Sequence, residues 1–172
     1  MDSMIIAISG TPGTGKSTLA RKISEKLGYD VLDVNKLLEE DEGLVLEFDR
    51  RRDTKVIDTE RLNDVLIQKI DETKKAGKGL VIDSHLSHML PKEEVGLCIV
   101  LSCDLSVLKE RLVERGYNNL KIKENLEAEA FDEILEEARE TGHEVLNIKT
   151  ESGYDLDCVL DEIRKREIKD LI

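Results

Sequence analysis

Long apolar runs are missing from this sequence. None approaches the roughly 18–20 consecutive apolar residues that a membrane-spanning helix needs, so no membrane partner is expected. Cysteine is scarce: Cys98, Cys103 and Cys158 form no CxxC pair and no cluster with histidine. The odd count and wide spacing exclude a disulfide scaffold and a thiolate metal knuckle. Cys98, inside LCIVL, reads as a small buried hydrophobe. Positive charge is in deficit: 26 Lys and Arg against 38 Asp and Glu give a formal charge of −12. That disfavours bulk electrostatic binding to nucleic acid or to an anionic membrane, and leaves room for a basic protein partner. Glutamine occurs once, at Gln68, while 37% of residues are charged, a balance of the heat-adapted kind. No internal repeat, low-complexity tract or Pro/Gly/Ser linker divides the chain, so residues 1–172 are expected to form a single domain. The first residues, MDSMIIAIS, carry no basic segment ahead of the apolar ones, and read as a strand rather than a leader. An intracellular, cytoplasmic protein is expected.

What is present is an alternation of strands and helices. MIIAIS, residues 4–9, is nearly continuous apolar sequence, as in a strand covered on both faces. Residues 15–27 follow as a helix with Leu19, Ala20, Ile23 and Leu27 on one side. YDVLDV (29–34) is a second strand, and 35–57 reads as irregular and charged after a short initial helix. Asp58 can cap a long helix on which Leu62, Val65, Leu66 and Ile70 share a face. GLVID (79–83) and GLCIVLS (96–102) are the third and fourth strands. Asp104 can cap a helix to about residue 114, broken by Gly116. One further helix is expected over 119–140, aligning Ile122, Leu126, Ala130, Phe131, Ile134, Leu135 and Ala138. HEVLNI (143–148) is a fifth strand, and a last helix carries Leu156, Val159, Leu160 and Ile163. Alternating βα units of this kind predict an α/β three-layer sandwich: a five-stranded parallel sheet with helices on both faces.

Between the first strand and first helix stands GTPGTGKS, Gly10 to Ser17, a full match to GxxxxGK[ST]. Glycines at 10, 13 and 15 let the backbone wrap with its N–H groups inward, and the helix N-terminus adds its positive end. Backbone at Gly10, Gly13, Thr14 and Gly15 would cradle phosphates, with Lys16 reaching the β- and γ-phosphates. Ser17 would ligate Mg²⁺ and Thr18 would lie near the α-phosphate. The expected cofactor is Mg²⁺ with ATP. A GTPase is excluded: no DxxG occurs, and Asn35-Lys36 is followed by Leu37-Leu38 where NKxD needs an aspartate.

The most specific stretch is ERGYNNLKIKENLEAEAF, Glu114 to Phe131. Taken with GTPGTGKST and VIDSH, its RGYxxxKIxEN pattern resembles the small adenylate kinases that double as ribosome-assembly ATPases, whose short forms occur in archaea. The resemblance runs nearly end to end. It implies a nucleoside-monophosphate-kinase fold with strand order 2-3-1-4-5, an acceptor-binding flap over about 33–57 and a short lid over about 114–124. It implies phosphoryl transfer from ATP to a nucleoside monophosphate, AMP foremost, and ATP hydrolysis. It further implies a role in late small-subunit maturation and rRNA processing, through transient contact with a ribosomal protein of the subunit platform. Arg115 matches the lid arginine, where a cation can stabilise charge on the transferring group; a cation there can also cap the preceding helix. A shikimate- or gluconate-kinase-type reaction on the same fold is a third reading, against which the RGYxxxKIxEN match argues.

VIDSHLSH, 81–88, raises a narrower question. Carboxyl ends of parallel strands face the ligand crevice, so Asp83 is a candidate Mg²⁺ ligand. In an extended segment His85 would point the same way as Asp83, and the pair matches the family's own variant of this motif. His85 is then a candidate for positioning the water that attacks ATP. His88 reads as a surface residue, and Arg111 as a surface residue or a support. Lys121 and Lys123 read as part of a solvated charged face. The arginine that holds the acceptor phosphate in familiar adenylate kinases has no counterpart in SHLSHMLPK, and the Arg50–Arg51–Arg52 run is either its substitute or a solvated charge run.

Overall fold

Period-2 alternation in the strands decides the architecture. The computed structural model describes residues 4–169. Five strands form one parallel sheet: β1 (Ile5–Gly10), β2 (Asp30–Asp33), β5 (Leu80–Asp83), β6 (Leu97–Ser102) and β7 (Val145–Lys149), in the order β2-β5-β1-β6-β7. Counting only these strands, the order is the expected 2-3-1-4-5. The remaining two strands, β3 (Val45–Asp49) and β4 (Thr54–Ile57), make a separate antiparallel hairpin.

Alternate side chains of each central strand enter opposite cores. Ile6, Ile8, Val81, Leu97, Ile99 and Leu101 pack against Leu19 and Ile23 of α1 (Lys16–Leu27) and Leu160 and Ile163 of α7 (Leu156–Lys169). Ile5, Ala7, Leu80, Ile82, Cys98 and Val100 face the other way. They meet Leu38 of α2 (Val34–Glu40), Leu62, Leu66 and Ile70 of α3 (Thr59–Lys75), and Leu135 and Ala138 of α6 (Glu133–Glu140). Each fully buried branched side chain contributes about 1.5–3 kcal/mol, so the sheet is anchored from both faces. A smaller cluster joins Leu108 and Leu112 of α4 (Leu105–Glu114) to Ile122 of α5 (Asn119–Ala130). Two helix starts use their predicted caps: Asp58 accepts from the N–H of Arg61 at 3.1 Å and Asp104 from that of Ser106 at 2.9 Å; α5 is capped by Asn118, which accepts from that of Lys121 at 2.8 Å.

Three expectations are corrected. Residues 35–57 are not irregular after the short helix α2; they continue into the β3–β4 hairpin, whose Leu46 and Phe48 are exposed. With little apolar burial the hairpin gives a weak alternation signal. The helix over 119–140 is two helices, parted at Phe131 and at Asp132, which sits at φ 50°. The reason is packing: Ile122 faces α4, whereas Leu135 and Ala138 face the sheet, and one straight helix cannot serve both. Phe131, at the joint, is 77% exposed.

His88 is the third correction, being 2% exposed rather than on the surface. The Ser87–Met89 turn tucks it against β1. Its Nδ1 shares a 2.8 Å hydrogen bond with Ser9 Oγ, and its Nε2 lies 2.8 Å from Glu137 Oε2 on α6. A carboxylate only accepts, so Nε2 carries the proton and Nδ1 accepts from the Ser9 hydroxyl. Both ring nitrogens are thereby satisfied, which offsets the cost of burying them. His88→Leu strands the buried Ser9 hydroxyl and should lower unfolding free energy by about 1–3 kcal/mol in a urea titration; an unchanged midpoint would show that the bridge does not hold the fold.

Candidate active site

The site begins where β1 runs into α1. At Gly10 the backbone has φ 144°, and a Cβ would lie 2.6 Å from the carbonyl oxygen of Leu101, so glycine is required there. Gly15, at φ 98° with open space around it, is required for its backbone conformation alone. The loop is braced from outside. Thr14 Oγ1 donates to Thr11 O at 2.8 Å, and Thr150 Oγ1 donates to Thr14 O at 2.9 Å. Arg111 donates to Gly13 O at 3.1 Å and to Thr150 O at 3.3 Å. Of the two readings of Arg111, the supporting one is correct. Thr18 lies exposed in the first turn of α1.

Lys16 folds back over this loop and donates to Gly10 O at 2.8 Å and Thr11 O at 3.2 Å. Burial pushes its ammonium down to about 8; Asp83 opposes this, Arg115 adds to it, and Glu129 opposes it. Ser17 Oγ donates to Asp83 Oδ2 at 2.5 Å. Parallel pairing of β5 with β1 and β2 sets Asp83 beside Ile8 and Asp33. Burial raises the Asp83 carboxyl, the Ser17 bond and Lys16 lower it, and Asp33 raises it. Asp33 itself caps α2, accepting from the N–H of Asn35 at 3.0 Å.

A hydroxyl and a carboxylate in contact at the phosphate loop are hard oxygen donors, which suits Mg²⁺ completed by phosphate oxygens and water. Among the described residues no cluster of three or more His, Cys, Asp or Glu could hold a metal without such help. The Ser17–Asp83 pair therefore fits a cation that phosphate oxygens would help to hold.

His85 does not continue the strand. β5 ends at Asp83 and the chain turns, so the extended-segment expectation fails. His85 lies in that turn, half-buried. Burial pushes its imidazole down to about 4, and the charges of Lys16, His88 and Lys121 act in the same direction. It is neutral at pH 7. Arg115 is exposed at the C-cap of α4, and its side chain makes no hydrogen bond or ion pair among the described residues, yet its charge is felt at both Lys16 and Asp83.

Sequence reasoning missed two groups. Glu129, near the end of α5, accepts from Thr11 Oγ1 at 2.7 Å and from the N–H of Cys103 at 2.7 Å, tying the phosphate loop to β6 and to α5. No motif carries this residue. The other group is the contact between the hairpin tip and α5. Arg52 pairs with Asp49 at 3.0 Å and with Glu124 at 2.8 Å. Asn118 Nδ2 donates to Arg51 O at 3.2 Å, and Lys121 Nζ donates to Asp53 O at 2.6 Å. Lys121 is thus not part of a merely solvated face, whereas Lys123, 3.7 Å from Glu127 and open to solvent, is.

Comparison with known proteins gives this geometry a family. A family model described as an AAA domain matches residues 6–132. The Caenorhabditis elegans adenylate kinase isoenzyme 6 homolog is 36% identical over 160 residues, covering 92% of this chain and 86% of that protein. The chain belongs to the adenylate kinase isoenzyme 6 family. A Pyrococcus furiosus protein provisionally named an adenylate kinase is 40% identical over 161 residues, covering 93% of this chain and 82% of its own. Among solved structures, the deoxyadenosine kinase of M. mycoides with bound dATP superposes with a TM-score of 0.59. At 16% identity, over 94% of this chain and 99% of that one, the likeness is one of fold alone.

Glu129 gives the site a test. Glu129→Ala frees the Thr11 hydroxyl and the Cys103 N–H, and should cost about 1–3 kcal/mol of stability and weaken a non-hydrolysable ATP analogue in calorimetric titration. Glu129→Gln can still accept from Cys103 and reach Thr11, and should bind that analogue like the parent. Parent-like binding by the alanine variant would show that the loop needs no brace from α5.

Proposed function

We propose that the protein is an ATP-dependent nucleoside monophosphate kinase, with AMP the foremost acceptor, that also hydrolyses ATP. One observation carries the reading: a complete phosphate loop whose Lys16 and Ser17 face Asp83 at the carboxyl ends of parallel strands. Family membership supports it, since the C. elegans relative is named an adenylate kinase isoenzyme 6 homolog. Residues 33–57 act as the acceptor flap and 114–124 as the lid, within one kinase domain over 1–172.

The backbone N–H groups of Gly10, Gly13, Thr14, Gly15, Lys16, Ser17 and Thr18 hold the donor phosphates. Ser17 and Asp83 would hold Mg²⁺, which when bound would supply positive charge against the phosphates. Lys16 leaves its two carbonyl partners for the γ-phosphate. Arg115, unpaired and close enough to influence Lys16, swings onto the transferring group and excludes water. An acceptor phosphate oxygen then attacks the γ-phosphorus in line, and ADP leaves. Catalysis is positioning and electrostatics. With no acceptor present, the neutral His85 imidazole orients the attacking water.

A second reading has its own observation. The turn after β5 carries no arginine, and Arg52 is already paired with Asp49 and Glu124. This favours a protein that is mainly an ATPase switch, with kinase activity incidental. We place either form in small-subunit maturation and rRNA processing in the cytoplasm, gripping a basic platform ribosomal protein, which the −12 charge suits. A switch requires that nucleotide bind its two states unequally.

Phosphoryl transfer to a panel of monophosphates, and ATP hydrolysis, should be measured with and without the platform protein. Fast transfer to AMP that ignores the partner favours the metabolic kinase; hydrolysis stimulated by the partner with slow transfer favours the switch. Lys16→Ala should abolish both activities. His85→Ala should reduce ATP hydrolysis by about 10²-fold or more, the usual scale for a positioned acid–base group; hydrolysis left intact removes His85 from the mechanism.

A further inference from the structure

A monophosphate acceptor brings a dianionic group that must be held against the charge of ATP. The turn after β5, residues 84–90, carries no lysine or arginine. Arg52 is paired with Asp49 and Glu124. Lys16 faces the donor phosphates from the loop itself. Yet the hairpin tip meets α5, and one ammonium stands at their junction.

Lys121 lies in the first turn of α5. Its Nζ crosses to the hairpin tip at Asp53 O, 2.6 Å away, and sits 4.2 Å from the centroid of the Tyr117 ring. Both partners are uncharged, and Lys121 is in no ion pair among the described residues. An ammonium has three donors, and one is used. Five surface lysines, Lys69, Lys74, Lys78, Lys123 and Lys165, are paired with carboxylates; Lys121 is instead held by a carbonyl and a ring. Lys121 thus stands where the start of α5, in the proposed lid, meets the tip of the proposed acceptor flap.

We propose that Lys121 is the acceptor-phosphate cation, its free N–H donors holding the monophosphate of the acceptor nucleotide beneath the hairpin tip. The assignment rests on the kinase reading. In the step it serves, a monophosphate oxygen forms a bond to the γ-phosphorus while the bond from that phosphorus to the β–γ bridging oxygen breaks. The bridging oxygen keeps the electron pair and departs on ADP, and the acceptor becomes a diphosphate. Lys121 exchanges no proton and lowers the repulsion between the two anions. Tyr117 and Asp53 O fix its ammonium before the acceptor arrives, which limits the entropy lost on binding.

The test separates phosphate binding from simple latching of the hairpin. Lys121→Met keeps the stem beside Tyr117 and removes the charge. The KM for AMP should rise about tenfold or more, as loss of one charge-assisted contact predicts, with the KM for ATP changed less than about twofold. Lys121→Arg should recover most of the AMP affinity. Competition by adenosine, which has no phosphate, should be untouched in Lys121→Met, so the preference for AMP over adenosine collapses. Arg52→Met, which cuts the neighbouring hairpin contact, should change AMP and adenosine alike and leave that preference standing. An unchanged preference in Lys121→Met, while the parent enzyme phosphorylates AMP, overturns the assignment alone. A parent enzyme that transfers phosphate to no monophosphate overturns the kinase reading, and the assignment with it.

Discussion

A phosphate-binding loop must keep its N–H groups free for the ligand, and that constraint governs the rest of this molecule. A backbone with unpaired donors is stable only if its carbonyls are held by something else. Here Gly10 O and Thr11 O are held by Lys16, Thr11 O also by Thr14, Gly13 O by Arg111, and Thr14 O by Thr150. Thr11 is held a second time through its hydroxyl by Glu129. The braces come from α4, α5 and the end of β7, so the fold's whole carboxyl edge is organised around one turn of chain. The same arrangement poises Lys16. It is the one brace that must let go when a phosphate arrives, and burial already weakens its hold on a proton.

Local signals were enough for the frame and for the loop. The apolar runs of β1, β5 and β6, and the caps at Asp58 and Asp104, act over a few residues, so a reading along the chain finds them. GTPGTGKS carries its own geometry in its glycines. The failures share a cause, since each depends on partners far apart in sequence. His88 is buried because residues 9 and 137 meet it, and nothing near position 88 announces either. Glu129 sits in an acidic helix indistinguishable from a solvated one until Thr11, 118 positions away, is brought to it. The joint at Phe131 and Asp132 arises because the apolar stripe of 119–140 changes its packing partner partway, while its periodicity continues unbroken. The hairpin over 45–57 was illegible for the opposite reason: it buries too little to leave a pattern.

Charge in this protein has to be judged locally. A net charge of −12 repels ATP at long range, but screening limits that repulsion to about 8 Å at physiological salt. Around the phosphate loop the deficit closes. Lys16, Arg115 and Lys121 each act on a buried titratable group there, against the carboxylates of Asp83, Asp33 and Glu129. The acidic surface can meet a basic partner while the cleft still receives anions.

The two proposed activities compete for one position in space. In-line attack on the γ-phosphorus needs a nucleophilic oxygen opposite the leaving ADP, and either a water or an acceptor phosphate can supply it. His85, neutral and close enough to feel Lys16 and Lys121, is suited to orient water; a lone ammonium at the hairpin tip is suited to an anion. On the proposed reading the hairpin is the selector. It is tied to α5 through Asn118, Lys121 and Glu124, so a monophosphate held there by Lys121 would take the place of water. A protein that grips the hairpin or α5 would then shift the choice between acceptor and water without touching the phosphate loop.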